Sequence, residues 1–168
     1  MLLRLAALSL LACLLAACAG DNFVAPSDPA FRADVTQGGL DPAAAARLVS
    51  AYRLANGRSL VQIDPRLNEV AREQARLMAD AGTIGHDGFR ERFDRSGYVA
   101  RGAYENVGAG QRTLLGVFEG WRTSSGHKRA MLARDVRHIG IAAVPSSGRY
   151  DAYWALVLAE PYVTLQER

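Results

Sequence analysis

Imidazole is the side-chain group in this chain best suited to acid–base chemistry or metal binding near neutral pH. The sequence contains three histidines, His86, His127 and His138. His86 follows a glycine in "AGTIGHDGF" and His127 follows one in "SSGHKRAML", which indicates a sharp turn or a close approach of another segment at each. Taken singly, each fits a turn or capping residue better than a ligand, and for His138 we retain that structural interpretation.

Nucleophilic catalysis has little support in the sequence. The motifs G-x-S-x-G and H-E-x-x-H are absent. Ser125 lies too close to His127 along the chain for the two to be judged as a pair. The residues that could do chemistry therefore favour ligand binding or acid–base work over covalent catalysis.

The N-terminus predicts export and lipid attachment. Residues 1–17, MLLRLAALSLLACLLAA, form an apolar run with one charge at Arg4, too short for a stable transmembrane helix and typical of a signal peptide. The end of the run and Cys18 resemble the bacterial lipobox, in which the cysteine is acylated with fatty acids such as palmitate. The alternative is ordinary cleavage at an A-x-A-like site, with Cys18 incidental. Lipidation of Cys18 would leave no free thiol, since Cys13 departs with the signal peptide.

The mature part of the chain is long enough for one domain with its own core. Residues 18–40 are rich in Gly, Asp, Pro and Ser and predict a tether, with docking of Phe23 or Phe31 as an alternative. The domain is predicted over residues 41–160, with a short tail at residues 161–168.

Several helices are marked by their caps and apolar spacing. The dipeptide Asp-Pro at positions 41–42, and again at 64–65, places an N-cap before a proline at the first helical position. Apolar residues then follow at helical spacing. A short third helix is predicted at residues 89–95 and a further one at about residues 113–121. Between these two, the four glycines of residues 97–112 predict an irregular loop.

The C-terminal third predicts the strands. Two extended runs, residues 139–144 and 150–159, are separated by "PSSGR" and predict a β-hairpin. The second run, YDAYWALVLA, is apolar almost throughout and therefore needs cover on both faces. Amphipathic helices around a small antiparallel sheet predict an α+β fold, a three-layer α-β-α sandwich.

Charge excludes one class of partner. The formal net charge is only +3, and the arginines alternate with Glu and Asp along helical stretches. This pattern is typical of solvated helix faces. We therefore expect no nucleic-acid partner.

Five segments, in order, carry a family resemblance: "RLANGRSLVQIDPRLNEVAREQARLMADAGTIGHDGF", "GYVARGAYENVGAG", "VFEGWRTSSGHKRAML", "HIGIAAV" and "YWALVLA". Together with the helix start at Asp41 they extend to Ala159. Their order resembles the CAP superfamily of cysteine-rich secretory, antigen-five and pathogenesis-related proteins, and its bacterial, SCP-like branch most closely. The resemblance implies an α-β-α sandwich with a cleft that gathers histidines and glutamates.

By position, the resemblance implies that His86, Glu105 of "YENV" and His127 line this cleft. If they converge, two imidazoles and one carboxylate suit a divalent cation such as Zn²⁺ with an open coordination position. The same trio could instead form a hydrogen-bonded polar cluster or carry general acid–base catalysis. Asn106 either contacts the ligand or shapes the backbone through a side-chain hydrogen bond.

The sequence departs from the family pattern at two places. The second glutamate that eukaryotic members carry shortly after the tryptophan is absent after Trp121, and helical spacing turns Glu119 towards solvent instead. Ala130 stands where the bacterial pattern usually has asparagine. Any interaction that those side chains make in the family is missing or supplied by other residues.

Two functions follow as hypotheses. The first is a cell-envelope binding module that holds a divalent cation, or a small or lipidic ligand, in the cleft of His86, Glu105 and His127. The alternative is a metal-assisted hydrolase acting on envelope peptides or wall material, since such a set can activate water. Whether the chain is an enzyme is left open.

The residues after Cys18 predict its location. Neither Ala19 nor Gly20 is the aspartate that retains Gram-negative lipoproteins at the inner membrane. By resemblance to that sorting pattern, we expect a lipoprotein attached to the outer membrane and facing the periplasm, in a cell that has one.

Overall fold

The computed structural model describes residues 22–162. The predicted signal peptide, the lipidation of Cys18 and most of the predicted tail lie outside this range, and they stay predictions. Within it, no helix has both the length and the apolar character needed to cross a bilayer.

Five α-helices form within residues 22–162, and the two Asp-Pro starts are confirmed. The helices are α1 (Pro42–Ala55), α2 (Pro65–Ala81), α3 (Phe89–Arg95), α4 (Leu114–Thr123) and α5 (Ser125–Met131). The Asp41 carboxylate accepts the backbone N–H of Ala43, and the Asp64 carboxylate accepts that of Arg66. Each cap therefore satisfies a free donor at the first turn.

In the part of the chain that the structure describes, the sheet has four strands in the order β1-β3-β4-β2. They are β1 (Gln62–Ile63), β2 (Ala100–Ala109), β3 (His138–Pro145) and β4 (Ala152–Pro161). The predicted hairpin is β3 and β4, which pair antiparallel, and β2 pairs antiparallel with β4. The short β1 runs parallel to β3, so the sheet is mixed at one edge.

The central strand β4 explains the three layers. Its residues from Ala152 to Ala159 are all fully buried. Alternate side chains point to opposite faces: Trp154 and Leu156 pack with α1, α4 and α5, whereas Tyr153 and Val157 pack with α2 and α3. The predicted three-layer α-β-α sandwich is confirmed.

The loop predicted for residues 97–112 is wrong, because most of this segment is β2. Its glycines have packing roles that composition does not reveal. Gly102 lies where the pairing with β4 shifts register. A Cβ on Gly108 would approach Val117 Cγ2 to 3.0 Å, so glycine lets α4 pack close to the strand.

The sharp turn predicted before His127 is the short break between α4 and α5. Ser124 has extended backbone angles and separates α4 from α5, and Ser125 already begins α5. His127 therefore lies on a helix, whose C-terminal Met131 is fully buried in the core with Trp121 and Ile139.

The segment before α1 is packed where the structure describes it, unlike the predicted tether. It contains two short 3-10 helices, Pro29–Arg32 and Val35–Gln37, and Phe31 and Val35 are buried. Phe23 packs edge-on against Phe118, at a ring centroid distance of 5.8 Å. Docking of Phe23 and Phe31, the alternative to a free tether, is what the structure contains.

Candidate functional site

The candidate site lies at the outer edge of the sheet, where β2 has one strand neighbour only. Successive side chains of a strand point to opposite faces. Glu105 contacts Arg92 of α3 in one helical layer, and the next residue, Asn106, contacts His127 of α5 in the other. Because β2 is an edge strand, side chains from both helical layers contact it at adjacent residues.

Glu105 is the centre of the site. Its carboxylate is 1% exposed and accepts from His86 Nδ1 at 2.9 Å through Oε1 and from the Arg92 guanidinium at 3.4 Å through Oε2. Burial raises the pKa of Glu105, whereas the hydrogen bonds and charges of His86 and Arg92 act in the opposite direction. With Nδ1–H donated to Glu105, neutral His86 has Nε2 as its free nitrogen.

Two buried polar side chains hold the loop that carries His86. Gln74 of α2 donates to the carbonyl of Gly85, and Arg92 donates to the carbonyl of Asp87. The two contacts flank His86 on both sides along the chain. His86 itself is 55% exposed, so its ring is oriented by the protein and remains open to solvent.

His127 reaches the site from the opposite layer. Asn106 Nδ2 donates to the His127 carbonyl at 3.1 Å, which ties the first turn of α5 to β2. His127 Nδ1 is buried and has no hydrogen-bond partner among the described residues. Burial lowers the pKa of His127, and the nearby charge of His86 lowers it further. The His127 ring is therefore biased towards the neutral form.

In the structure the site is a hydrogen-bonded cluster around Glu105. Within residues 22–162, no group of three His, Cys, Asp or Glu side chains is arranged to hold a metal ion. Both oxygens of Glu105 are engaged, one by His86 and one by Arg92. Two imidazoles alone then remain as ligands, and Zn²⁺ binding stays a prediction.

The other residues named in the sequence analysis lie apart from the His86–Glu105 pair. His138 begins β3, and its Nδ1 lies 2.6 Å from the hydroxyl of Tyr98. Glu119 pairs with Arg122 on its own helix. Ala130 is buried in the core. None of these side chains contacts Glu105.

Sequence reasoning missed Arg92 and Gln74. Arg92 is one of several arginines in "FRERFDR", and charge alone does not distinguish it. The signal lies in its position, because Arg92 follows Phe89 by three residues and precedes Phe93 by one, on the apolar side of α3. Gln74 likewise lies between the buried Ala71 and Met78 on α2.

The three-layer sandwich thus places His86, on the loop between α2 and α3, against Glu105 of the edge strand β2. The model of the cysteine-rich secretory protein (CAP) family matches residues 46–158. The chain belongs to this family, as its resemblance predicts.

One sequence relative and two solved structures are similar to this chain. The uncharacterised protein YkwD of Bacillus subtilis is 32% identical over 104 residues, 59% of this chain and 40% of that protein. An SCP-domain extracellular protein of Bacillus anthracis has a TM-score of 0.63 at 21% identity, over 71% of this chain and 40% of its own. An outer surface protein of Borrelia burgdorferi has a TM-score of 0.61 at 21% identity, over 68% and 87%. The chain thus spans less than half of YkwD.

Proposed function

We propose that the chain is a cell-envelope binding module whose cleft, formed by His86, Glu105 and His127, holds a small or lipidic ligand or a divalent cation. The observation that carries the proposal is His127 Nδ1, a buried polar atom without a partner in the described structure. Burying such an atom costs free energy that a ligand would recover. His86, whose side chain is 55% exposed and whose charge acts on His127, supplies a second imidazole.

Two observations support an envelope location. The N-terminal sequence has the pattern of a lipoprotein signal with Cys18 as the anchor. The structurally similar proteins are described as an extracellular protein and an outer surface protein. We therefore propose attachment through Cys18 and a periplasmic or extracellular position for the domain.

Titration with Zn²⁺, followed by calorimetry, tests the cation version. The chain offers a matched control, because His138 is the histidine that lies outside the cleft. We expect His127→Ala to abolish the binding heat and His138→Gln to leave it unchanged. Equal heats for wild type and His127→Ala would remove the cation version.

Mass spectrometry of the purified chain tests the organic-ligand version. A small molecule or lipid should accompany the wild type and be depleted in His127→Ala, with His138→Gln as the control. A molecule retained equally by all three proteins would place binding elsewhere.

The second candidate function is hydrolysis of envelope peptides or wall material. It is favoured by one observation, that a buried carboxylate with a raised pKa holds an exposed imidazole. Hydrolysis of any member of a panel of peptides and muropeptides by the wild type, and its loss in Glu105→Gln, would support this function. Absence of turnover across the panel would leave the binding module.

A further inference from the structure

A group of arginines surrounds the connection between α5 and β3, away from Glu105. The guanidinium of Arg53, fully buried at the end of α1, donates to the carbonyls of Ser59, Met131, Ala133 and Val136. Arg58 donates to the carbonyl of Leu132, and Arg137 donates to those of Arg134 and Val136. Carbonyl oxygens satisfy the hydrogen bonds, but they leave the positive charges without a counter-ion.

The charge is concentrated further by two exposed neighbours. Arg129 and Arg134 form no ion pair with another residue of the described range. We call Arg53, Arg58, Arg129, Arg134 and Arg137 the arginine cluster. Burial, with the charges of Arg137 and Arg58, lowers the pKa of Arg53 to about 10. A guanidinium at this value is still charged at neutral pH, so the cluster attracts anions.

A cavity of about 460 Å³ lies against the cluster. Arg58, Arg129 and Arg134 line this cavity. Asp135, Glu160 and the half-exposed Tyr104 line it as well. The two carboxylates form no ion pair with these arginines in the described structure, since no such contact falls within 4 Å.

The chemistry of this lining selects a class of ligand. Guanidinium groups bind phosphate in bidentate geometry. Carboxylates accept hydrogen bonds from hydroxyl groups, and a tyrosine ring offers a flat apolar face next to them. The cavity is larger than a phosphate ion needs, which leaves room for a hydroxylated body.

We propose that this cavity binds a phosphorylated polyol, with the phosphate at Arg58, Arg129 and Arg134 and the hydroxyl groups at Asp135 and Glu160. The proposal is independent of the histidine cleft. Such a group occurs on free polyol phosphates and on the headgroup of phosphatidylglycerol. Both sources present the same chemistry to the protein.

Calorimetric titration of the full chain in detergent with glycerol 3-phosphate tests the proposal. Short-chain phosphatidylglycerol, with phosphatidylcholine as its control, forms a second arm that identifies the source. We expect saturable binding in at least one arm, weakened by added salt. Glycerol alone and inorganic phosphate should bind at least tenfold more weakly than glycerol 3-phosphate or the phosphatidylglycerol.

Two double variants decide the location. The double variant Arg129→Gln, Arg134→Gln should bind the phosphorylated polyol at least tenfold more weakly, because each change removes a charge-assisted contact of the proposed site. Arg76→Gln with Arg149→Gln removes two exposed charges elsewhere and should leave binding unchanged. All four positions are exposed, so both variants should keep the wild-type melting temperature. No binding in either arm, equal loss in both variants, or equal affinity for inorganic phosphate would overturn the proposal.

Discussion

The buried Glu105 carboxylate accepts hydrogen bonds from His86 and from the positively charged Arg92. A buried ion stays ionised only if its partners offset the loss of hydration. Arg92 is the buried partner, since its side chain is 3% exposed and its guanidinium donates to Glu105 Oε2. Arg92 is therefore a positioning residue for the site as well as a structural one.

Arg92→Met should lower the free energy of unfolding by about 3 kcal/mol at neutral pH, because the Glu105 charge loses its buried partner. Urea denaturation measures the change. Without Arg92, the pKa of Glu105 in the folded state rises further above its unfolded value. Stability from such a group is present at low pH and is lost as pH rises through the folded pKa. The deficit of the variant should therefore shrink as the pH is lowered.

A double-mutant cycle separates this charge effect from lost packing. In the Glu105→Gln background the same Arg92→Met change should cost at least about 1 kcal/mol less, because no buried carboxylate is left unpaired. Equal costs in both backgrounds would mean that Arg92 acts through packing and through the Asp87 carbonyl alone.

His127 predicts a second pH effect with the opposite sign. Its pKa is lowered in the folded state by burial and by His86. Stability from such a group is complete above the unfolded pKa, near 6.5, and is lost as pH falls through the folded pKa. Between pH 7.5 and 5, wild type should therefore lose more stability than His127→Gln, measured by urea denaturation at each pH. Parallel curves for the two proteins would contradict a buried, neutral imidazole.

At the scale of elements, the position of β2 and β3 depends on how closely the helices approach the sheet. Gly140 of β3 is the tightest point, because a Cβ there would overlap the backbone of Leu67 and Asn68 in α2. Helix α2 packs on β3 and β4 through this contact and carries Gln74, which holds the His86 loop.

Gly140→Ala should lower the free energy of unfolding by more than about 2 kcal/mol, since backbone atoms cannot move aside as a side-chain end would. The matched control is Gly120→Ala on α4, where an added Cβ meets nothing within 4 Å. In that exposed helical position alanine should stabilise by about 0.5 kcal/mol or more. Chemical denaturation of both variants measures the contrast, and equal stabilities would contradict direct contact between α2 and β3.

The elements that the sequence predicts well are those with local signals. Asp41 and Asp64 cap helices through their own side chains, and the apolar run of β4 requires two covered faces wherever it folds. The glycines of β2 led to the wrong prediction of a loop. Gly108 allows the close approach of Val117, and Gly102 lies at the register shift with β4, so both depend on contacts that are distant in sequence. Sequence spacing does not contain such contacts.

The candidate site shows the same contrast between local signals and contacts that are distant in sequence. The family resemblance predicts that His86 and Glu105 line one site, and in the structure His86 Nδ1 lies 2.9 Å from Glu105 Oε1. Arg92 was missed because its role depends on α3 lying over β2, a contact between elements. For His127 the sequence predicts a sharp turn or the close approach of another segment, whereas the residue lies on the short helix α5, which ends in the buried Met131.

At the scale of the whole molecule, the sandwich has two cores that meet at the sheet. The core of α1, α4 and α5 also contains residues from before α1, among them Phe31, which is 1% exposed. Val35 N–H donates to the carbonyl of Arg112 at 2.9 Å, and Arg112 pairs with Asp34. The segment from Asn22 to Leu40 is therefore attached beside the start of α4, the helix whose Trp121 donates to Val107 of β2.

This attachment makes the segment part of the folded unit, and its removal should be costly. A chain that begins at Asp41 should unfold at a lower urea concentration than one that begins at Asn22, because the ring of Phe31 leaves the core. The single change Phe31→Ala should account for about 3 kcal/mol or more of that loss. Val24→Ala is the control, since Val24 is 85% exposed and truncating it should change stability by less than about 0.5 kcal/mol. If the shorter chain and Phe31→Ala both unfolded at the midpoint of the longer chain, residues 22–40 would be a tether after all, and the domain would begin at α1.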